Sequence, residues 1–127
     1  MISLKDYKNS NNVKSLIQKM FESRQVTHNF HLQTKSYSQH IALNKFYAGI
    51  LELTDEFVEC YQGQYGIISG YEKIETAVIS DIETYVEDCA KMFILGRDSL
   101  KDSHLKNIMD EIITLSYKTL YKLKNLK

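Results

Sequence analysis

Not one of the 127 residues is proline, and only five are glycine. Those two residue types most reliably stop or kink a helix, so long helices can run here with few forced breaks. Apolar residues recur at steps of three and four through most of the chain, the spacing that lines one face of a helix. The expected fold class is all-α.

Four helices follow from that pattern, at about residues 12–33, 37–62, 81–96 and 103–124. The first opens after Asn11 or Asn12, either of which suits an N-cap, and its stripe is Val13, Leu16, Ile17, Met20, Phe21, Arg24, His28 and His31. Ser36 with Gln39 reads as a capping box that opens the second, which continues through Leu43, Phe46, Ile50, Leu53, Phe57 and Tyr61. Its apolar arc is wider than one buried face needs, so it is expected to touch both the core and a second chain. Gly63 and Gly66 suit the end of that helix and a turn. With no preceding strand and no Lys-Ser or Lys-Thr after them, they make no phosphate loop.

Residues 67–79 read as a long crossover with a short helix at 71–76. Ser80 and Glu83 form a second capping box, residues 96–101 a break, and Asp102 or Ser103 the cap of the last helix. Residues 1–10 carry scattered apolar side chains and little charge, and read as a flexible N-terminal arm; residues 11–127 then form a four-helix bundle.

Sixteen basic residues balance sixteen acidic ones. No global field draws in nucleic acid or an anionic membrane, and a nucleic-acid partner is not expected. No run approaches the ~20 apolar residues of a membrane span, and the stretch from Met1 to Asn12 is too polar for a signal peptide. Cys60 and Cys89 lack the spacing of a zinc knuckle or a redox pair, and read as reduced, buried thiols. A soluble cytoplasmic protein without membrane association is the expectation.

Ligand-type residues cluster in one place. His28, His31 and His40 lie within thirteen residues, and Asp55 and Glu59 follow, one helical turn apart. The Thr34-Lys35 connection is short enough to make the first two helices antiparallel neighbours, which brings His28 and His31 near His40. Both histidines of the first helix lie near its C-terminal end, where the helix dipole favours a protonated ring. His40 and Asp55, however, are fifteen residues apart on one helix, or about 22 Å at ~1.5 Å per residue. They cannot hold one ion within one chain. A shared metal requires the histidines of one subunit to meet the carboxylates of another across a two-fold axis, with two copies of the second helix antiparallel. Absent such an axis, the histidines read as hydrogen-bonded core residues and the carboxylates as a solvated acidic edge.

This layout and ligand order resemble the ferritin-like superfamily and, within it, the DNA-protection-during-starvation (Dps) proteins. Their pattern is a His near the end of the first helix, a His twelve positions on, an Asp fifteen later and a Glu four after that. His28, His40, Asp55 and Glu59 stand at those spacings. An alternative register takes His31 as the first ligand, with a shortened loop. His31-Leu-Gln-Thr-Lys-Ser-Tyr, Tyr61-Gln-Gly and Tyr121-Lys-Leu also look like small ferritin-like proteins of tailed phages.

The resemblance implies a ferritin-like four-helix bundle with a long crossover between the second and third helices. It implies a homo-oligomer with two-fold interfaces through the second helix, in the cytoplasm (of a host cell if the chain is viral). It also implies inter-subunit sites that oxidise or sequester Fe(II), with iron, or Zn or Mn in its place, on His28 or His31, His40, Asp55 and Glu59. The chain departs from the Dps pattern in several places. Asn29 and Leu32 follow the two histidines where Dps proteins usually have Trp, no Gly separates His28 from His40, and Asn44 stands where an added acidic ligand is often found. The Glu-x-x-His motifs of full ferritins are absent. These departures leave open a non-enzymatic ferritin-like oligomeric binding protein, such as a phage accessory protein, that has lost or repurposed the metal site.

Overall fold

Helix starts in this chain are set by short polar side chains that satisfy the first free amides. The computed structural model describes residues 1–10 and 12–127, apart from the side chain of Ser10. Among the described residues it contains five α-helices and no strand: α1 (Leu4–Ser10), α2 (Val13–Gln33), α3 (Tyr37–Tyr65), α4 (Ile82–Ser99) and α5 (Ser103–Asn125). Asn12 caps α2 by accepting from the Ser15 amide at 2.9 Å; Asn11, the other expected cap, lies outside the described residues.

Ser36 caps α3 by accepting from the Gln39 amide at 3.3 Å, but the reciprocal half of the capping box is not made, because Gln39 accepts from the Thr34 hydroxyl instead. At α4 the cap is Asp81, not Ser80. Its carboxylate takes both the amide and the hydroxyl of Thr84, at 3.0 and 2.7 Å, and these bonds hold its carboxyl below the usual range. Asp102 precedes α5 but makes no side-chain cap bond, since its oxygens accept from Gln64 and Tyr65.

Three further expectations are corrected. Helix α3 runs past Gly63, which has open space around it, and stops at Gly66, whose φ of +97° suits glycine. No short helix forms at 71–76; that part of the crossover is pinned to α2, with the Glu72 amide donating to Gln18 at 2.7 Å and the Tyr71 ring edge-on to Phe21. Side chains of α2 thus take bonds that a local turn would have made.

The expected N-terminal arm is the third correction. It forms α1 and buries Tyr7 completely, because one large aromatic supplies enough apolar surface to dock a short helix against α4. Gly96, expected at a break, lies inside α4 and permits that docking. A Cβ there would sit 2.8 Å from the Tyr7 hydroxyl and as near to Leu16 of α2.

Each long helix packs on two others, α2 on α3 and α4, and α5 on α3 and α4. All four neighbouring pairs are antiparallel. Leu16 of α2 abuts Gly96 near the end of α4, while Glu22 bonds Tyr85 near its start. Gln64 and Tyr65 at the end of α3 reach Asp102 at the start of α5, and Lys127 returns to Glu83 at the start of α4. Helices α3 and α4 therefore run in the same direction, which a crossover of residues 66–81 permits. Phe46, Phe57, Phe93, Ile17 and Met109 are fully buried between the helices. Among the described residues no helix is long and apolar enough to cross a membrane.

Candidate functional site

The α2–α3 corner brings His28, His31 and His40 together. Helix α2 ends at Gln33, the amide of the cap residue Thr34 still bonds the Phe30 carbonyl, and α3 begins at Tyr37. Across this turn two histidines bind each other's backbone. The Nδ1 of His31 lies 2.6 Å from the His40 carbonyl oxygen, and the Nδ1 of His40 lies 2.8 Å from the His31 carbonyl oxygen. A carbonyl only accepts, so each Nδ1 carries the proton. A neutral ring in that tautomer keeps its lone pair on Nε2. The two rings stack with centroids 3.6 Å apart and planes 16° from parallel. This is the restraint typical of metal-ligating histidines, in which a backbone carbonyl fixes tautomer and ring orientation through the nitrogen that does not bind.

His28 stands one turn earlier and is held differently. Its ring stacks on Tyr47, with centroids 4.1 Å apart, and lies 6.0 Å from His31. Burial, then the charge of Arg24, then His31 lower its pKa from the ordinary value. The helix dipole was expected to favour protonation here; desolvation and a like charge outweigh it. Tyr47 also donates to Asn44 at 2.7 Å, so that side chain is engaged within the helix. In the sequence Tyr47 reads as part of the apolar arc of the second helix and not as a neighbour of the histidines. The available signal was its position seven residues after His40, on the same helical face.

Asp55 and Glu59 are exposed on α3. They continue a solvent-facing stripe of Tyr37, Ile41, Asn44, Ala48 and Glu52, all exposed and spaced by three or four. Helix α3 is continuous from Tyr37 to Tyr65, so the 22 Å between His40 and Asp55, estimated at ~1.5 Å per residue, applies. Among the described residues no three His, Cys, Asp or Glu side chains come together in one chain in a way that could hold an ion. At the corner His31 is buried and His40 half-buried, and the carboxylates lie further along the same helix.

A second ionisable cluster lies deeper in the bundle and was also missed. Lys19 and Glu22 of α2 are each 2 % exposed and ion-paired at 2.5 Å. The same Glu22 oxygen accepts from the Tyr85 hydroxyl at 2.7 Å, the other from the Ile2 amide at 2.8 Å, and Lys19 also donates to the Ile2 carbonyl at 3.2 Å. Its ammonium lies 4.9 Å from the centre of the Tyr85 ring. Burial, with Cys89 and Glu22 adding to it, pushes the Tyr85 hydroxyl far up, and burial raises the Cys89 thiol to about 11. A thiol so protonated is no nucleophile at neutral pH. Nothing in the sequence of α2 alone marks this cluster, because half of its partners come from residues 1–10 folding back.

Comparison with curated proteins and with solved structures finds no match. One family matches residues 31–123, a span that opens at His31 and takes in His40, Asp55 and Glu59, with His28 and the Lys19–Glu22 pair before it. Because that span covers most of the chain, the protein belongs to DUF5856, a family of unknown function.

Proposed function

We propose that this chain is a ferritin-like, Dps-type oligomeric protein that binds and oxidises Fe(II) between two-fold-related copies. The observation that carries the reading is the reciprocal His31–His40 pair, whose Nδ1 protons are committed to carbonyls, so that a neutral ring in either place has its lone pair on Nε2. His31, rather than His28, is then the ligand from α2. The helix arrangement supports the fold part of the reading, since a ring of antiparallel neighbours with a crossover that makes α3 and α4 parallel is ferritin-like connectivity.

The missing ligands come from a second copy. When two α3 helices pair antiparallel, His40 of one faces Asp55 of the other if the axis passes between Tyr47 and Ala48. Ala48 is exposed and small, which lets the helices approach closely. Imidazole and carboxylate donors with open positions suit non-haem Fe(II), and Zn or Mn accept the same set. As substrate, two Fe(II) ions give one electron each to a peroxide, which takes up two protons and leaves as two waters. Asp55 and Glu59 then hold the more highly charged Fe(III) product.

The test is native mass with and without added Fe(II), paired with Fe(II) oxidation by the wild type and His40→Ala. A closed assembly that oxidises Fe(II) faster than the variant is expected; equal rates remove the enzymatic claim. A second reading, an oligomeric binding protein without iron chemistry, is favoured by the apolar side chains exposed at the same corner, Leu32 at 70 %, Tyr37 at 78 % and Ile41 at 50 %. It takes over if elemental analysis finds sub-stoichiometric metal in a dimer or small ring.

A further inference from the structure

A cleft of about 270 Å³ opens between α2, α3 and the crossover, and the iron chemistry leaves it unexplained. Met20, Phe21, Leu51 and Ile74 give it apolar walls, and Arg24, Thr54 and Asp55 share it. Thr54 is 3 % exposed, and its Oγ1 is buried without a hydrogen-bond partner; so is the Nε of Arg24. Arg24 donates only from a terminal nitrogen, to Gln25 at 3.2 Å, and no carboxylate pairs with it among the described residues. Asp55, exposed at the rim, is likewise outside every ion pair there.

Buried polar groups are almost always satisfied, so two orphans in one cleft mark a place where a ligand supplies the partner. Both orphan groups can donate, the Arg24 Nε only donating and the Thr54 hydroxyl also able to accept, and the guanidinium charge favours an anionic acceptor. The unpaired carboxylate at the rim asks for a cation. A guanidinium and a carboxylate that line one cleft without meeting leave a gap that a dipolar molecule fills. The volume lies just below the roughly 300–1,000 Å³ of sites for drug-sized ligands and suits something smaller.

We propose that this cleft binds a small apolar α-amino acid as its zwitterion. The ligand carboxylate meets Arg24 and Thr54, its ammonium meets Asp55, and its side chain packs on Met20, Phe21, Leu51 and Ile74. The inference goes beyond the iron reading and does not rest on it. Asp55 enters both, so the two occupants compete for it, while Arg24 and Thr54 enter only this site.

Titration calorimetry of the full chain with L-leucine is the test, alongside 4-methylpentanoate, which lacks the ammonium, and isopentylamine, which lacks the carboxylate. Leucine is expected to bind at least about tenfold more tightly than either, and Arg24→Gln to lose it by at least about tenfold. Thr54→Val removes a buried, unpartnered hydroxyl. It is expected to raise thermal stability and weaken leucine binding together, whereas a purely structural Thr54 changes stability alone. No heat with leucine, equal affinity for all three probes, or wild-type affinity in both variants overturns the proposal. A leucine failure alongside normal Fe(II) oxidation overturns this inference alone.

Discussion

Helix α2 carries two ionisable clusters twelve residues apart, and they are built on opposite principles. At Lys19 and Glu22, every strong valence is spent inside the protein: Glu22 accepts three hydrogen bonds, and Lys19 bonds a carboxylate, a carbonyl and a ring face. Such a cluster holds the N-terminal segment onto the bundle, and its two charges are already paired with each other. At His31 and His40 only half of each ring is spent. One nitrogen is fixed to backbone, and in a neutral ring the other has its lone pair, which on the proposed reading meets a metal. Burial and charge alone would single out the first cluster as the site; counting unspent valences selects the second.

The comparison breaks most visibly at Lys19. Replacing it with Met strands a buried carboxylate and is expected to cost about 3–5 kcal/mol in urea unfolding. Lys19→Met combined with Glu22→Leu removes the stranded charge but leaves the Tyr85 hydroxyl and the Ile2 amide without an acceptor, so it is expected to recover only part of that loss. If the single variant is as stable as wild type, the cluster is not the closed structural unit described.

The histidine corner is expected to show the reverse balance. His31→Gln retains a donor for the His40 carbonyl, so stability falls by only about 1 kcal/mol. Fe(II) affinity falls by more than the roughly 10–100-fold typical of losing an outer partner of a ligand. A calorimetric titration that finds affinity intact and stability collapsed would put this corner in the same class as the Lys19 cluster.

Two smaller effects sharpen the corner's anatomy. Ser36→Ala deletes the cap of α3 beside the pair and is expected to cost about 1 kcal/mol by thermal unfolding. His28 has a lowered pKa in the folded chain, so it binds its proton more readily when unfolded. Its contribution is fully present above the unfolded value of 6.5 and is lost as pH falls through the lower folded pKa. His28→Gln is therefore expected to flatten the decline of Tm on the acid side of 6.5. An unchanged pH profile removes that account of His28.

The long helices were legible because their stripes and breaks are local properties of the chain. The absence of proline, the Ser36 cap and the apolar periods place α2 to α5 without tertiary information. What failed depended on contacts distant in sequence. Residues 4–10 become α1 because Tyr7 and Ile2 find partners on α2 and α4, and Gly96 is packed between them instead of breaking α4. The crossover stays extended because Gln18 satisfies the Glu72 amide. At the corner, the sequence brought the histidines together but left His28 and His31 equivalent. Separating them takes the ring geometry, since only His31 exchanges backbone bonds with His40.

The claim that the corner is half of a two-chain site is tested most directly by subunit complementation. One chain carries His31→Ala and His40→Ala, the other Asp55→Asn and Glu59→Gln, and Fe(II) binding is measured for each alone and after the two are refolded together. Neither is expected to bind alone. Random pairing makes half of the dimers mixed, each with one intact site of two, so the mixture is expected to recover about a quarter of wild-type capacity. A mixture as inactive as its parents, or a parent that binds like wild type, would contradict the two-chain site.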